Sequence, residues 1–142
     1  MTIEHTLMEP EVTYEKANRD AYYFINMARQ GINYSNFSTI ANQSLFNLNE
    51  WSEFLHLSER TMQRYKKEDA IFDVIHSERI IQLTLLFKFG IDVFGTKEKF
   101  NIWIESKSIA LGNVIPKDLL DNSFGIDLIR KELGRIEHGI LA

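Results

Sequence analysis

Pro10 and Pro116 are the only prolines in this chain, and the long stretch between them contains none. Proline removes a backbone donor and clashes with the preceding helical turn. Uninterrupted runs of Ile, Leu and Phe without such breakers favour helices over a meander of short strands. At 142 residues and 44% hydrophobic content, the chain can bury a real core as one or two compact all-α modules. It has no cysteine, which excludes disulfides, thiolate metal sites and cysteine nucleophiles.

Residues 1–15, with Glu4, Glu9, Glu11 and Glu15, read as a loose acidic arm. Met1–Pro10 lacks the basic-then-apolar pattern of a signal peptide. Asn18–Gln30 reads as a helix stopped by Gly31, and Asn33–Ser44 presents Tyr34, Phe37, Ile40 and Ala41 at helical spacing. Leu45–Leu55 reads as the next helix, capped by Asn47, with Glu50 in capping-box register and Trp51, Phe54 and Leu55 on one face. After the break at His56-Leu57-Ser58, Ser58 can cap a helix over Glu59–Lys67. Ser77–Phe89 is apolar on nearly every side, so it is expected to be central to the fold or partly covered by a second chain. Arg79, Gln82 and Lys88 interrupt the apolar run Val74–Phe94 and argue against a membrane span. Thr96 caps a helix carrying Phe100, Trp103 and Ile104, and Pro116 sits at a preferred first helical position. Ser123 is expected to cap the last helix, whose stripe is Ile126, Ile129, Leu133 and Ile136 and whose end is Gly139.

The formal net charge of −4 argues at first against nucleic acid, but phosphate contacts depend on where the basic groups sit. Residues 1–57 hold seven acids and three bases, whereas residues 58–142 hold thirteen of each. Arg60, Arg64, Lys66 and Lys67 fall within eight residues with no acid among them. Leu48–Leu55, the turn His56–Ser58 and Glu59–Lys67 have the order of a helix-turn-helix, with Leu57 as the apolar turn residue. Met62 and Tyr65 would face inward, and Arg60, Gln63, Arg64 and Lys67 outward. Arg can grip guanine in a fork, Gln can pair with adenine, and Lys66 and Lys67 suit phosphates. An amphipathic hairpin with a solvated basic face would show the same pattern; the local absence of acids in an acidic chain favours DNA.

Nothing in the sequence resembles a catalytic centre. His5, His56, His76 and His138 are scattered without metal-ligand spacing, and there is no Gly-rich phosphate loop or nucleophile elbow. Glu68-Asp69 and Asp118/Asp121 stand at helix ends, where acids cap or solvate. No enzyme activity and no cofactor is expected.

In the C-terminal half the spacing becomes specific. Ser77-Glu78-Arg79-Ile80, Phe94-Gly95-Thr96, Trp103-Ile104, Ala110-Leu111-Gly112, Pro116, Leu119-Leu120, Gly125, Glu132-Leu133 and Ile136 to Ile140 together resemble the Xre/MbcA/ParS antitoxin family. Upstream, Ser58-Glu59-Arg60-Thr61 and Arg64 look like the same family's recognition helix. Ser106-Lys107-Ser108 and Ile104 depart conservatively from the family pattern, and the acidic arm has no counterpart in it.

The resemblance implies an antitoxin of a type II, RES–Xre toxin–antitoxin system. Its C-terminal domain would bind a RES-domain toxin that depletes NAD, and its helix-turn-helix would repress the shared promoter. The expected division is an arm over 1–17, a DNA-binding domain over 18–75, and a toxin-binding and dimerisation domain over 76–142. The expected DNA contacts are Ser58, Arg60, Thr61, Gln63, Arg64, Lys66 and Lys67. The expected toxin contacts are Arg130, Arg135, Glu137, His138, Gly139 and the short apolar tail Ile140, Leu141 and Ala142. The partners would be the toxin, operator DNA and a second copy of the chain, in the cytoplasm and without a membrane. A stand-alone helix-turn-helix regulator without a toxin is the alternative.

Overall fold

The computed structural model of the chain describes residues 14–139. The helices are α1 (Tyr14–Gln30), α2 (Tyr34–Gln43), α3 (Leu48–Leu55), α4 (Glu59–Glu68), α5 (Val74–Phe94), α6 (Lys97–Glu105) and α7 (Ser123–Glu137). Two short 3-10 turns, Ile109–Leu111 and Pro116–Leu119, lie between α6 and α7. The described residues contain no strand beyond the isolated bridges Asn33–Ile71 and Ser108–Val114.

The caps explain most helix boundaries. Asn47 and Glu50 form a reciprocal capping box: Asn47 Oδ1 accepts from Glu50 N at 2.8 Å, and Glu50 Oε1 accepts from Asn47 N at 3.0 Å. Ser58 caps α4 and Thr96 caps α6, each accepting from the third helical amide. Asp73 does the same for α5. The His76 N–H bonded to Asp73 is the main cause that holds this carboxyl below its usual pKa.

Helix α5 is the axis of the molecule. Ile80, Ile81, Leu83, Thr84, Leu86, Phe87 and Gly90 are buried on several sides of it, and α1, α3, α6 and α7 pack around it. The apolar residues of its Ser77–Phe89 stretch are therefore largely covered within one chain. At Gly90 a Cβ would run into the Phe100 ring, so glycine lets α6 lie directly against α5.

One aromatic chain links both halves of the core. Phe37 meets Trp51 edge-on at 5.3 Å, Trp51 meets Phe87 at 5.9 Å, and Phe87 meets Phe100 at 6.3 Å. Such pairs add about 0.5–1.5 kcal/mol each beyond their buried area. The Trp51 indole N–H is satisfied by Ser44 Oγ at 3.1 Å.

Three local expectations change. Helix α1 begins at Tyr14, before Asn18, so the end of the expected 1–17 arm is helical; residues 1–13 lie outside the described residues. The cap of α7 is Asn122, whose Oδ1 accepts from Phe124 N and Gly125 N; Ser123 is the first helical residue, and its hydroxyl is taken by Arg79. Both residues are good caps, and the longer Asn side chain reaches two amides. Ile136 is only half-buried, because the last turn of α7 extends past the core that holds Ile126, Ile129 and Leu133.

Candidate nucleic-acid interface and partner-binding helix

Helix α4 has two distinct faces. Met62 is fully buried and Tyr65 half-buried, while Arg60, Gln63, Arg64, Lys66 and Lys67 are exposed. Residues 60, 63, 64 and 67 recur at three- and four-residue intervals and form one outward stripe. The Arg64 guanidinium lies 5.7 Å from the centre of the Tyr65 ring, within cation–π range. Ser58 Oγ accepts from Thr61 N at 3.0 Å and donates to Thr61 Oγ1 at 2.9 Å. These two hydroxyls are therefore engaged in capping, unlike the four outward groups.

The frame around α4 is tied by hydrogen bonds on both sides. Asp69, in the left-handed region at φ +47°, ends the helix and accepts from Ser35 N at 2.9 Å and Ser35 Oγ at 2.8 Å. The Phe72 N–H to Ile32 carbonyl bond and the Tyr34 N–H to Ala70 carbonyl bond fasten the exit of α4 to the α1–α2 link. On the other side, the turn His56–Ser58 joins α3 to α4, with Leu57 N donating to Ser52 O at 3.0 Å.

The last helix carries the expected partner residues. Arg130, Arg135, Glu137, His138 and Gly139 are all exposed, while Ile140, Leu141 and Ala142 lie outside the described residues. Arg130 and Lys131 both pair with Asp127. Hydrogen bonds from Lys131 first, and then from Arg130, hold the Asp127 carboxyl below its usual pKa. Arg135 Nη1 reaches Glu132 Oε2 at 2.8 Å, and Glu132 is the one carboxylate of α7 whose side chain is nearly covered, at 6% exposure.

Two residues that sequence reasoning passed over stand on the same helix. Phe124 is 87% exposed and Leu128 lies one turn further on, also exposed. Their signal was legible: once Ile126, Ile129 and Leu133 take the inner face, positions 124 and 128 fall outside it. Among the described residues no helix is long and apolar enough to cross a membrane, and no group of His and acidic side chains could hold a metal ion.

Comparison with known proteins fits this two-part surface. Residues 24–84 match the model of the antitoxin Xre-like helix-turn-helix domain, and residues 90–139 match that of the antitoxin Xre/MbcA/ParS C-terminal toxin-binding domain. The chain belongs to the Xre/MbcA/ParS antitoxin family. It is accordingly a non-enzymatic antitoxin with a helix-turn-helix domain and a toxin-binding domain; the first matched range ends and the second begins within α5.

Among curated relatives, an Antitoxin Xre of Photorhabdus laumondii subsp. laumondii is 29% identical over 104 residues, which is 72% of this chain and 70% of the relative. An Antitoxin Xre of Yersinia enterocolitica serotype O:8 / biotype 1B is 30% identical over 84 residues, 58% of this chain and 57% of the relative. The fold also resembles a chain in the crystal structure of the M. tuberculosis MbcT-MbcA toxin-antitoxin complex. The TM-score is 0.59 at 16% identity, covering 77% of this chain and 96% of the other.

Proposed function

We propose that this antitoxin neutralises a cognate RES-domain, NAD-depleting toxin by direct contact through α7, and represses its own operon through α4 as a homodimer. The observation that carries the DNA half is the outward stripe of Arg60, Gln63, Arg64 and Lys67 opposite buried Met62. Those groups can read base edges and phosphates in a major groove without disturbing the core.

For the toxin half, Phe124 and Leu128 are exposed on α7, and Lys131 and Arg135, three and seven residues after Leu128, share their outward side, an apolar anchor with charged neighbours as protein contacts commonly have. The RES identity of the toxin follows from the family resemblance. Dimerisation follows from the palindromy of operators read by helix-turn-helix proteins. The exposed Ile71, Val74 and Ile75, directly after α4, support a self-contact there.

The test is co-expression of the full chain with the protein encoded beside it. Co-purification and rescue of growth are expected, together with a salt-sensitive shift of the promoter duplex. If the neighbour neither co-purifies nor is neutralised while the promoter still shifts, the protein is a stand-alone regulator. A promoter shift that is absent or insensitive to salt overturns the DNA half.

A further inference from the structure

The first helix of the helix-turn-helix is held at both ends by groups outside that motif. At its start, Glu50 Oε2 receives Lys117 Nζ at 2.7 Å, and Lys117 also reaches Glu105 Oε1 at 3.2 Å. At its end, Arg79 Nη1 donates to the Phe54 carbonyl at 3.1 Å, while Nη2 donates to Ser123 Oγ at 3.3 Å. In the turn itself, His56 Nε2 lies 2.6 Å from the Asp121 carbonyl oxygen. A carbonyl can only accept, so Nε2 carries the proton in this contact.

His56 is an unusual residue for its position. It occupies the left-handed region at φ +56° and ψ +38°, immediately after the last residue of α3. Glycine is at ease there, whereas a residue with a Cβ is strained. What the imidazole supplies and glycine cannot is the bond to Asp121. Lys117, Asp121 and Ser123 belong to one short stretch, residues 117–123, that leads straight into α7.

We infer that His56 and Arg79 are positioning residues for DNA reading: through them the N-terminal end of α7 sets the seating of the α3–α4 turn. Resting on the DNA-binding reading above, the operator affinity of α4 is then a property of the whole chain. Whatever displaces residues 117–123, including a partner gripping α7, is felt at Arg60 and Arg64.

His56→Gly separates this role from a merely structural one. It removes backbone strain and the ring together, so thermal stability stays level or rises, while the tie to Asp121 is lost. The expected result is about a fivefold loss of affinity for a labelled duplex of the chain's own promoter, the usual net worth of one hydrogen bond. Faster amide exchange in α4 accompanies it. His56→Gln places an amide N–H at similar reach and is expected to recover part of the affinity. Lys117→Met, at the other end of α3, is expected to accelerate exchange in α4 in the same way.

Unchanged promoter affinity and unchanged α4 exchange in the full-length His56→Gly chain overturn the inference. If the wild-type chain gives no salt-sensitive promoter shift, the DNA reading fails instead. The exchange comparison then still decides whether the C-terminal stretch seats α4.

Discussion

The ion pair between Glu50 and Lys117 joins the start of α3 to the second 3-10 turn, and its contribution to stability can be worked out from its geometry. Glu50 does two jobs: Oε1 closes the capping box on Asn47 N, and Oε2 takes the Lys117 ammonium. Glu50→Gln keeps an acceptor for Asn47 N but puts an NH2 donor where Oε2 met the Lys117 ammonium, so it removes the charge and that hydrogen bond together. The two side chains are 19% and 26% exposed, between the open-surface case of ~0.2–1 kcal/mol and the ~1.5–3 kcal/mol of a fully covered charged hydrogen bond. A loss of about 1 kcal/mol is expected. Lys117→Met should cost about 2 kcal/mol, because it strips Glu50 and Glu105 of their shared cation at once.

In a double-mutant cycle by urea unfolding, the two substitutions should couple by roughly 1 kcal/mol. A coupling below ~0.3 kcal/mol, or a Lys117→Met no costlier than Glu50→Gln, would refute the reasoning. The pH dependence has a definite sign. The Glu50 hydrogen bond is the largest cause that raises the Lys117 pKa, burial opposes it, and Glu105 adds to it. This stabilisation is complete below the unfolded pKa of ~10.4 and is lost as pH rises through the raised folded value. Glu50→Gln should therefore cost stability at pH 8 and progressively less in strongly alkaline solution.

Arg60→Ala and Arg64→Ala should each weaken promoter binding by ~1–3 kcal/mol in gel shifts, whereas Lys67→Ala should lower affinity evenly and reduce the salt slope by about one. Equal affinity for both Arg variants and wild type would remove α4 as the reading helix. Gly125→Ala drives a Cβ into the Leu119 backbone carbonyl, which cannot step aside cheaply, so thermal melts should show a loss of ~1–3 kcal/mol. A neutral Gly125→Ala would mean that α7 does not approach the 3-10 turn so closely. Phe124→Ser should leave folding stability within ~0.5 kcal/mol and cost toxin affinity ~2 kcal/mol or more, about 30-fold by calorimetry. Deleting Gly139–Ala142 should abolish neutralisation and spare promoter binding; retained neutralisation would move the toxin contact up the helix.

Much of the fold is legible in the sequence because helices are local objects. The Asn47–Glu50 box, the Ser58 cap and the Met62/Tyr65 inner face each need only a few neighbouring residues to be specified, and each is found where the spacing puts it. The exposed row Arg60, Gln63, Arg64, Lys67 follows from the same periodicity. The charge pattern also indicated that one helix of an acidic chain differs from the rest.

Other features depend on contacts that span long stretches of chain, for which no short pattern exists. The sequence left open whether the all-apolar Ser77–Phe89 segment serves its own core or a second chain, and packing by α1, α3, α6 and α7 decides for the core. Two adjacent residues of equal capping ability contest the start of α7, and Arg79, 44 positions upstream, draws the Ser123 hydroxyl away. His56 read as part of an ordinary break between helices; only the meeting of that turn with Asp121, 65 residues later, gives its ring a partner. Local hydrogen bonding and hydrophobic period thus determined the helices and the outward basic face of α4. How that face is joined to the toxin-binding end is a tertiary matter, because it rests on polar ties between residues that only the folded core brings within 3 Å or so of each other.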